Sequence, residues 1–166
     1  EIRLSLVGSE MCIRDRNLTM KTVFNNHEIA KVWVEQNQEH GKNTTGSIFF
    51  EGPSIYSYGY HFEMARILDT DTVQISTATY SVTTSAHQSH VLQALVPFHK
   101  RDDSHTIYSL TFDDHTRNIE HFKRKIEEFE GKLKRARTRK DDYKMSIGWQ
   151  EQCMKNYMEY YKLDKA

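Results

Sequence analysis

The sequence predicts an α+β protein: a helix, a small antiparallel β-meander, a second helix and a long C-terminal helix. Three observations predict it. Apolar residues recur at helical spacing between residues 26 and 39. The stretch from 47 to 84 is aromatic and β-branched, as strands are. Helical spacing then returns and holds from residue 114 to the end. These shifts divide the chain into a leader (1–19), an α+β domain (20–112) and a helical arm (113–166). A length of 166 residues suits one domain.

The first helix is expected over 26–39. Asn25 caps it, and Glu28 three residues later completes a capping box; Ile29, Val32 and Trp33 then share one face. "HGKNTTG" (40–46) reads as the loop that ends it. "SIFFEG" (47–52) reads as a strand, and Gly52-Pro53 as a turn. "SIYSYGYHFEMARIL" (54–68) reads as one long strand, or two joined at Gly59. "VQIST" and "YSVTT" (73–84) complete a meander of three or four strands. Ser85 and Gln88 form a second capping box, S-x-x-Q, which predicts a helix over about 85–96 stopped by Pro97. "TIYSLTF" (106–112) is a further strand.

From Asp114 to Leu163 there is no proline, and apolar residues such as Ile119, Phe122, Ile126, Phe129 and Leu133 alternate in steps of three and four. Lys140 and Gln150 fill the two vacancies in this pattern. Unbroken phase favours a single helix of about 75 Å at 1.5 Å per residue, pairing as a coiled coil. The alternative is a helical hairpin turning at "TRKDD" (138–142).

The leader reads differently from the rest. "LVGSEMCIRDR" (6–16) resembles the translation of a sequencing-library adapter, which makes residues 1–19 non-native or disordered and Met20 the natural start. Cys12 would leave with it, so Cys153 would be the sole native thiol.

Composition narrows the function classes. Lys plus Arg number 23, as do Asp plus Glu, so no global field draws the chain to nucleic acid or membrane. No apolar run reaches membrane-spanning length. Two cysteines without a CxxC pair suit a reduced, cytoplasmic setting. There is no G-x-G-x-x-G, no G-x-x-x-x-G-K and no G-x-S-x-G, and no cofactor is implied.

The polar residues worth testing lie in two segments. Nucleophilic catalysis needs a serine, a histidine base and an orienting acid. His61, Ser81 and His87 are the catalytic candidates, with Ser57 and Ser85 as further serines. His87 and His90 share a helical face, but zinc needs three or four ligands and no cysteine or carboxylate stands at motif spacing, so no metal site is assigned. Tyr56, Tyr58, Tyr60 and Phe62 alternate, which on a strand places them on one face with Ser57, His61 and Glu63 on the other. The candidate binding residues are therefore Tyr56, Ser57, Tyr58, His61, Tyr80, Ser81 and His87. Separately, "KLKRARTRK" (132–140) carries six basic residues in nine. Arg135, Arg137, Arg139 and Lys140 lack an acid four residues before them, and are the candidates for gripping phosphates.

The segments Tyr56 to Phe62 and Tyr80 to Gln88, with Trp33 on an upstream helix, are similar to an uncharacterised domain family of phage, plasmid and environmental bacterial sequences. Its marks are Tyr-Ser-Tyr-Gly-x-His-Phe and Tyr-Ser-x-Thr-Thr-Ser-x-His-Gln. The resemblance covers about residues 26–98. It implies a phage or mobile-element source, hence the host cytoplasm, and no particular activity. Glu63 stands where a proline is common, which leaves the local bend open. The first expectation is thus a non-enzymatic binding or assembly module, self-associating through its C-terminal helix. The alternative is a nucleic-acid-associated accessory protein using 132–140, and the third a small hydrolase or metal site at His61 and His87.

Overall fold

The computed structural model describes residues 21–163. The expected leader, 1–19, lies outside the described residues. Seven strands form one sheet in chain order: β1 (Val23–Phe24), β2 (His40–Asn43), β3 (Ile48–Glu51), β4 (Ser54–Ser57), β5 (Glu63–Ile67), β6 (Thr72–Ser76) and β7 (His105–Ser109). The helices are α1 (Asn26–Glu35), α2 (Val82–Ala94), the single turn α3 (Val96–His99), α4 (His115–Arg135) and α5 (Lys140–Tyr161). The α+β class holds, but the sheet is larger than a meander and mixed. The central pairs are antiparallel, whereas β1 with β2 and β6 with β7 are parallel. The reason is the helices between them: a helical crossover returns the chain to its starting end, so the next strand runs the same way.

One face of the sheet packs under α1 and α2. Ile29 and Trp33 of α1, Phe50 and Ile55 of the sheet, and Leu95 after α2 are fully buried. The indole N–H of Trp33 donates to the Pro53 carbonyl at 2.9 Å, so the core's largest ring is also hydrogen-bonded. Strand β2, expected as loop, exists because its alternation fits this core. Gly41 and Asn43 point in and Lys42 points out. A Cβ on Gly41 would stand 2.7 Å from the Phe50 ring, so only glycine fits there. Buried Asn43 bonds Asn26, Ser47 and the Ile48 N–H, which replaces what an apolar residue would supply.

The expected capping box at Asn25 and Glu28 is present. Helix α1 ends earlier than expected, at Gln36, which turns left-handed (φ 50°) and sends its side-chain amide to the Trp33 and Gly52 carbonyls. The second capping box is four residues earlier than expected. Ser81 and Thr84 form it, so α2 starts at Val82 and the expected strand over 80–84 is absent. Gln88 instead donates to the Ser76 and Ala78 carbonyls, tying α2 to the end of β6.

The C-terminal segment is a hairpin rather than one long helix. Ala136 leaves helical geometry (ψ 131°), Arg139 adopts φ 60°, and α4 and α5 pack along each other. The apolar seam on each helix predicts a partner helix; it does not say whether the partner is the next segment or another chain. Here the seam is filled within the chain. Its inner end forms a second core, with Phe122, Cys153 and Tyr157 buried against Ile107 of β7. Burial pushes the Cys153 thiol up to about 11, so it is held protonated and unreactive. Among the described residues, no helix is long and apolar enough to cross a membrane.

Candidate functional site

The two polar segments singled out in the sequence meet where β4, β5 and α2 come together. Strand β4 ends at Ser57, and the chain turns through Tyr58 (φ 55°) and Gly59 (φ 121°) before β5 begins at Glu63. The Ser57 N–H donates to the Phe62 carbonyl across this turn. The turn breaks the expected alternation. Tyr56 and Tyr60 do meet, ring to ring, together with Phe49. Tyr58 instead stacks on His87 at 5.4 Å, and Phe62 is buried with its ring edge-on to Tyr80 at 4.7 Å.

Ser57 and His87 form a buried pair. Their Oγ and Nδ1 atoms are 2.7 Å apart, and both residues face the core side of the sheet. Burial, with a smaller contribution from neighbouring His90, lowers the pKa of His87, so its imidazole is neutral near pH 7. A nucleophile needs its base oriented by a third group and open to substrate. Among the described residues, Ser57 is the only hydrogen-bond partner of the His87 side chain, and no carboxylate joins it. The pair fastens α2 to β4. His90, three residues on, packs against His27 at 6.3 Å and has a buried Nδ1 with no partner.

The candidates His61, Ser81 and His87 are not brought together by any hydrogen bond or ring contact among the described residues. Ser81 is spent on the helix cap, where its hydroxyl accepts the Thr84 N–H. His61 is exposed and lines a cavity of about 190 Å³ with Tyr80. No group of three or more His, Cys, Asp or Glu among the described residues is placed to hold a metal ion.

That cavity collects three connections. Tyr60 to Glu63 come from the β4–β5 turn, Ser76, Ala78 and Tyr80 from the chain leaving β6, and Leu110 to Asp113 from the chain leaving β7. It therefore lies at the carboxyl ends of two parallel strands joined through a helix, the position where open sheets with such crossovers bind ligands. Arg66 braces its rim. The guanidinium donates twice to Glu63 at 2.7 Å, reaches Asp113 at 3.3 Å and lies 5.0 Å from the Phe112 ring centre. The Glu63 hydrogen bonds raise the pKa of Arg66 against the opposing effect of burial, so it stays charged.

Glu63, Phe112 and Asp113 were not candidates in the sequence. One signal was available: two β-branched runs, 73–77 and 106–112, flank a helix and so form a β-α-β unit. That would have pointed to the residues just after each run.

The basic segment 132–140 spans the last turn of α4, the connection 136–139 and the first residue of α5. Arg139 pairs with Asp142, and Arg135 donates to the Gly131 carbonyl. Among the described residues, Arg137 and Lys140 have no acidic partner within 4.0 Å, although both are exposed. No family model, no curated protein and no solved structure matches the chain.

Proposed function

We infer that this chain is a non-enzymatic binding module whose site is the cavity at the carboxyl ends of β6 and β7. One observation carries the reading: three separate connections converge there with exposed Tyr80 and His61, while the Ser57–His87 pair lies outside the cavity lining. A cavity built from loops on a rigid sheet suits recognition, because the scaffold fixes the loops at little entropic cost. The two segments that carry the phage-family resemblance both contribute to this junction; the proposed mobile-element setting in the host cytoplasm rests on that resemblance alone.

The test has two arms. A mixed library of small polar compounds and peptides is screened by amide NMR on the full chain. The expected result is perturbation centred on His61, Tyr80 and Asp113. In parallel, a serine-reactive fluorophosphonate is expected to leave Ser57 unlabelled in the native protein. Labelling of Ser57 would make the protein a hydrolase and sink the reading, as would a library that perturbs only distant residues.

A second reading rests on the hairpin turn. Six basic residues lie within 132–140, at the end of α4, in the reversal (Arg137 and Arg139) and at the start of α5, and such a tip can approach a phosphate backbone without displacing the core. Single-stranded and duplex DNA are the probes. Each phosphate contact contributes a slope of about −0.9 (duplex) or −0.7 (single strand) to log K against log salt. Neutralising Arg135, Arg137 and Arg139 to Gln is expected to flatten that slope. Binding that ignores salt, or survives the triple change, removes this reading.

A further inference from the structure

The cavity has a chemical bias that its position does not by itself explain. Its walls include four aromatic rings, Tyr60, Phe62, Tyr80 and Phe112, and two carboxylates, Glu63 and Asp113; no lysine or arginine lines it. Arg66 stands beside it but is committed, with two bonds to Glu63 at 2.7 Å, one contact to a single oxygen of Asp113 at 3.3 Å and its Cζ over the Phe112 ring. Two carboxylates against one guanidinium leave the rim one negative charge in excess. The Asp113 carboxylate is 85 % exposed, so most of its surface still faces solvent.

Aromatic faces carry a negative quadrupole and attract cations within about 6 Å of the ring centre, more so when a carboxylate is near. The protein already uses one wall this way, since Arg66 lies over Phe112. A neutral ligand could at most hydrogen-bond to Asp113 without the ion-pair attraction, and an anion would be repelled by it.

Resting on the binding-module reading, we propose that the cavity takes an alkylammonium group, either a free organic ammonium or the side chain of a lysine on a partner protein. Tyr80 and Tyr60 flank the bound nitrogen, and Asp113 supplies the counter-charge. Tyr60 also meets Phe49 and Tyr56 edge-on at the outward face of β3 and β4. An aromatic strip therefore runs from the cavity mouth onto the sheet, where flanking residues of a peptide could lie.

Amide and tyrosine-ring NMR of the full chain tests this, with tetramethylammonium and n-butylammonium as probes. Neopentyl alcohol is the neutral counterpart and pivalate the anionic one. Ammonium probes are expected to shift His61, Tyr80 and Asp113, and the neutral and anionic probes are not. Tyr80→Ala is expected to weaken ammonium binding by about tenfold, and Asp113→Asn by about threefold with loss of salt dependence. Both positions are exposed, so the variants should fold, and unchanged spectra elsewhere will show it. A lysine peptide that binds more tightly than either free amine places the source on a partner protein; the reverse order indicates a small molecule. Shifts of the same residues by pivalate or neopentyl alcohol, without the amines, would overturn the cation assignment and leave the binding site standing. No shift with any of the four probes would overturn the cation assignment, and the broader library then decides the site separately.

Discussion

The two sides of the sheet are built on different chemistry. Under α1 and α2 the buried apolar set is large, with Ile29, Trp33, Phe50, Ile55 and Leu95 sealed from water, and individual bonds such as Ser57–His87 and Asn26–Asn43 are set into it. Beneath the α4–α5 hairpin the buried apolar set is small, and side-chain hydrogen bonds take up much of the contact. Asn118 accepts the Leu110 and Thr111 N–H groups and donates to the Thr111 carbonyl and the Tyr157 hydroxyl. Tyr157 also bonds His115, and Tyr161 donates to Gln74, whose amide reaches Ser109. Apolar burial is non-directional and sets how much is buried; a hydrogen-bond network is directional and sets where a part sits. The first side therefore holds the fold together. The second fixes the position of the hairpin, and with it the Leu110–Asp113 wall of the cavity.

The comparison can be broken by unequal losses on the two sides. The largest effect is expected for Trp33→Ala, about 3–5 kcal/mol from the cavity left and the lost bond to Pro53. Urea unfolding should show the whole domain destabilised in one transition. Next is Asn118→Ala. It leaves the part-buried Leu110 and Thr111 N–H groups without a partner and the Tyr157 hydroxyl with His115 alone, costing about 1–3 kcal/mol. Hydrogen exchange should quicken along α4, α5 and β7 while α1 and β3 keep their protection. Equal quickening of α1 would show that the two sides are one cooperative unit and would erase the distinction drawn above.

The smallest effect concerns pH and separates the sides by their histidines. Burial lowers the pKa of His87 on the α1–α2 side, and of His121 on the hairpin. A histidine lowered on folding takes up its proton more readily when unfolded. Its contribution is complete above the unfolded value, near 6.5, and is lost as pH falls from there through the folded value. His87→Asn keeps a side-chain partner for Ser57 and removes that proton. The variant's stability should fall less steeply than the parent's below pH 6.5 in denaturant titrations. An unchanged slope would mean that His87 is not among the groups responsible.

Much of the local structure was legible because it depends on local chemistry. The Asn25–Glu28 box and the break at Gly59 were visible as residue types at fixed offsets. The second cap was misplaced because "YSVTTSAHQ" offers two consecutive boxes, Ser81–Thr84 and Ser85–Gln88. Only the end of β6 selects between them, by taking Gln88 for the Ser76 and Ala78 carbonyls. Of the candidate site, His61 and Tyr80 reach the cavity, Ser57 and His87 bond to each other outside it, and Ser81 serves the helix. The Phe112–Asp113 wall comes from a segment whose adjacency to His61 depends on β7 pairing with β6.

By itself the sequence determined the class of the fold, where most of its elements lie, and the presence of an apolar seam along the last fifty residues. Periodicity and capping depend on neighbours three or four residues apart, and those are written in the chain. Only the tertiary structure decided that the seam closes on itself as a hairpin, that the sheet ends in parallel pairs, and that three connections enclose one cavity. Those outcomes depend on which distant surfaces bury each other, and a pattern of apolar residues specifies that a surface needs a partner without specifying the partner.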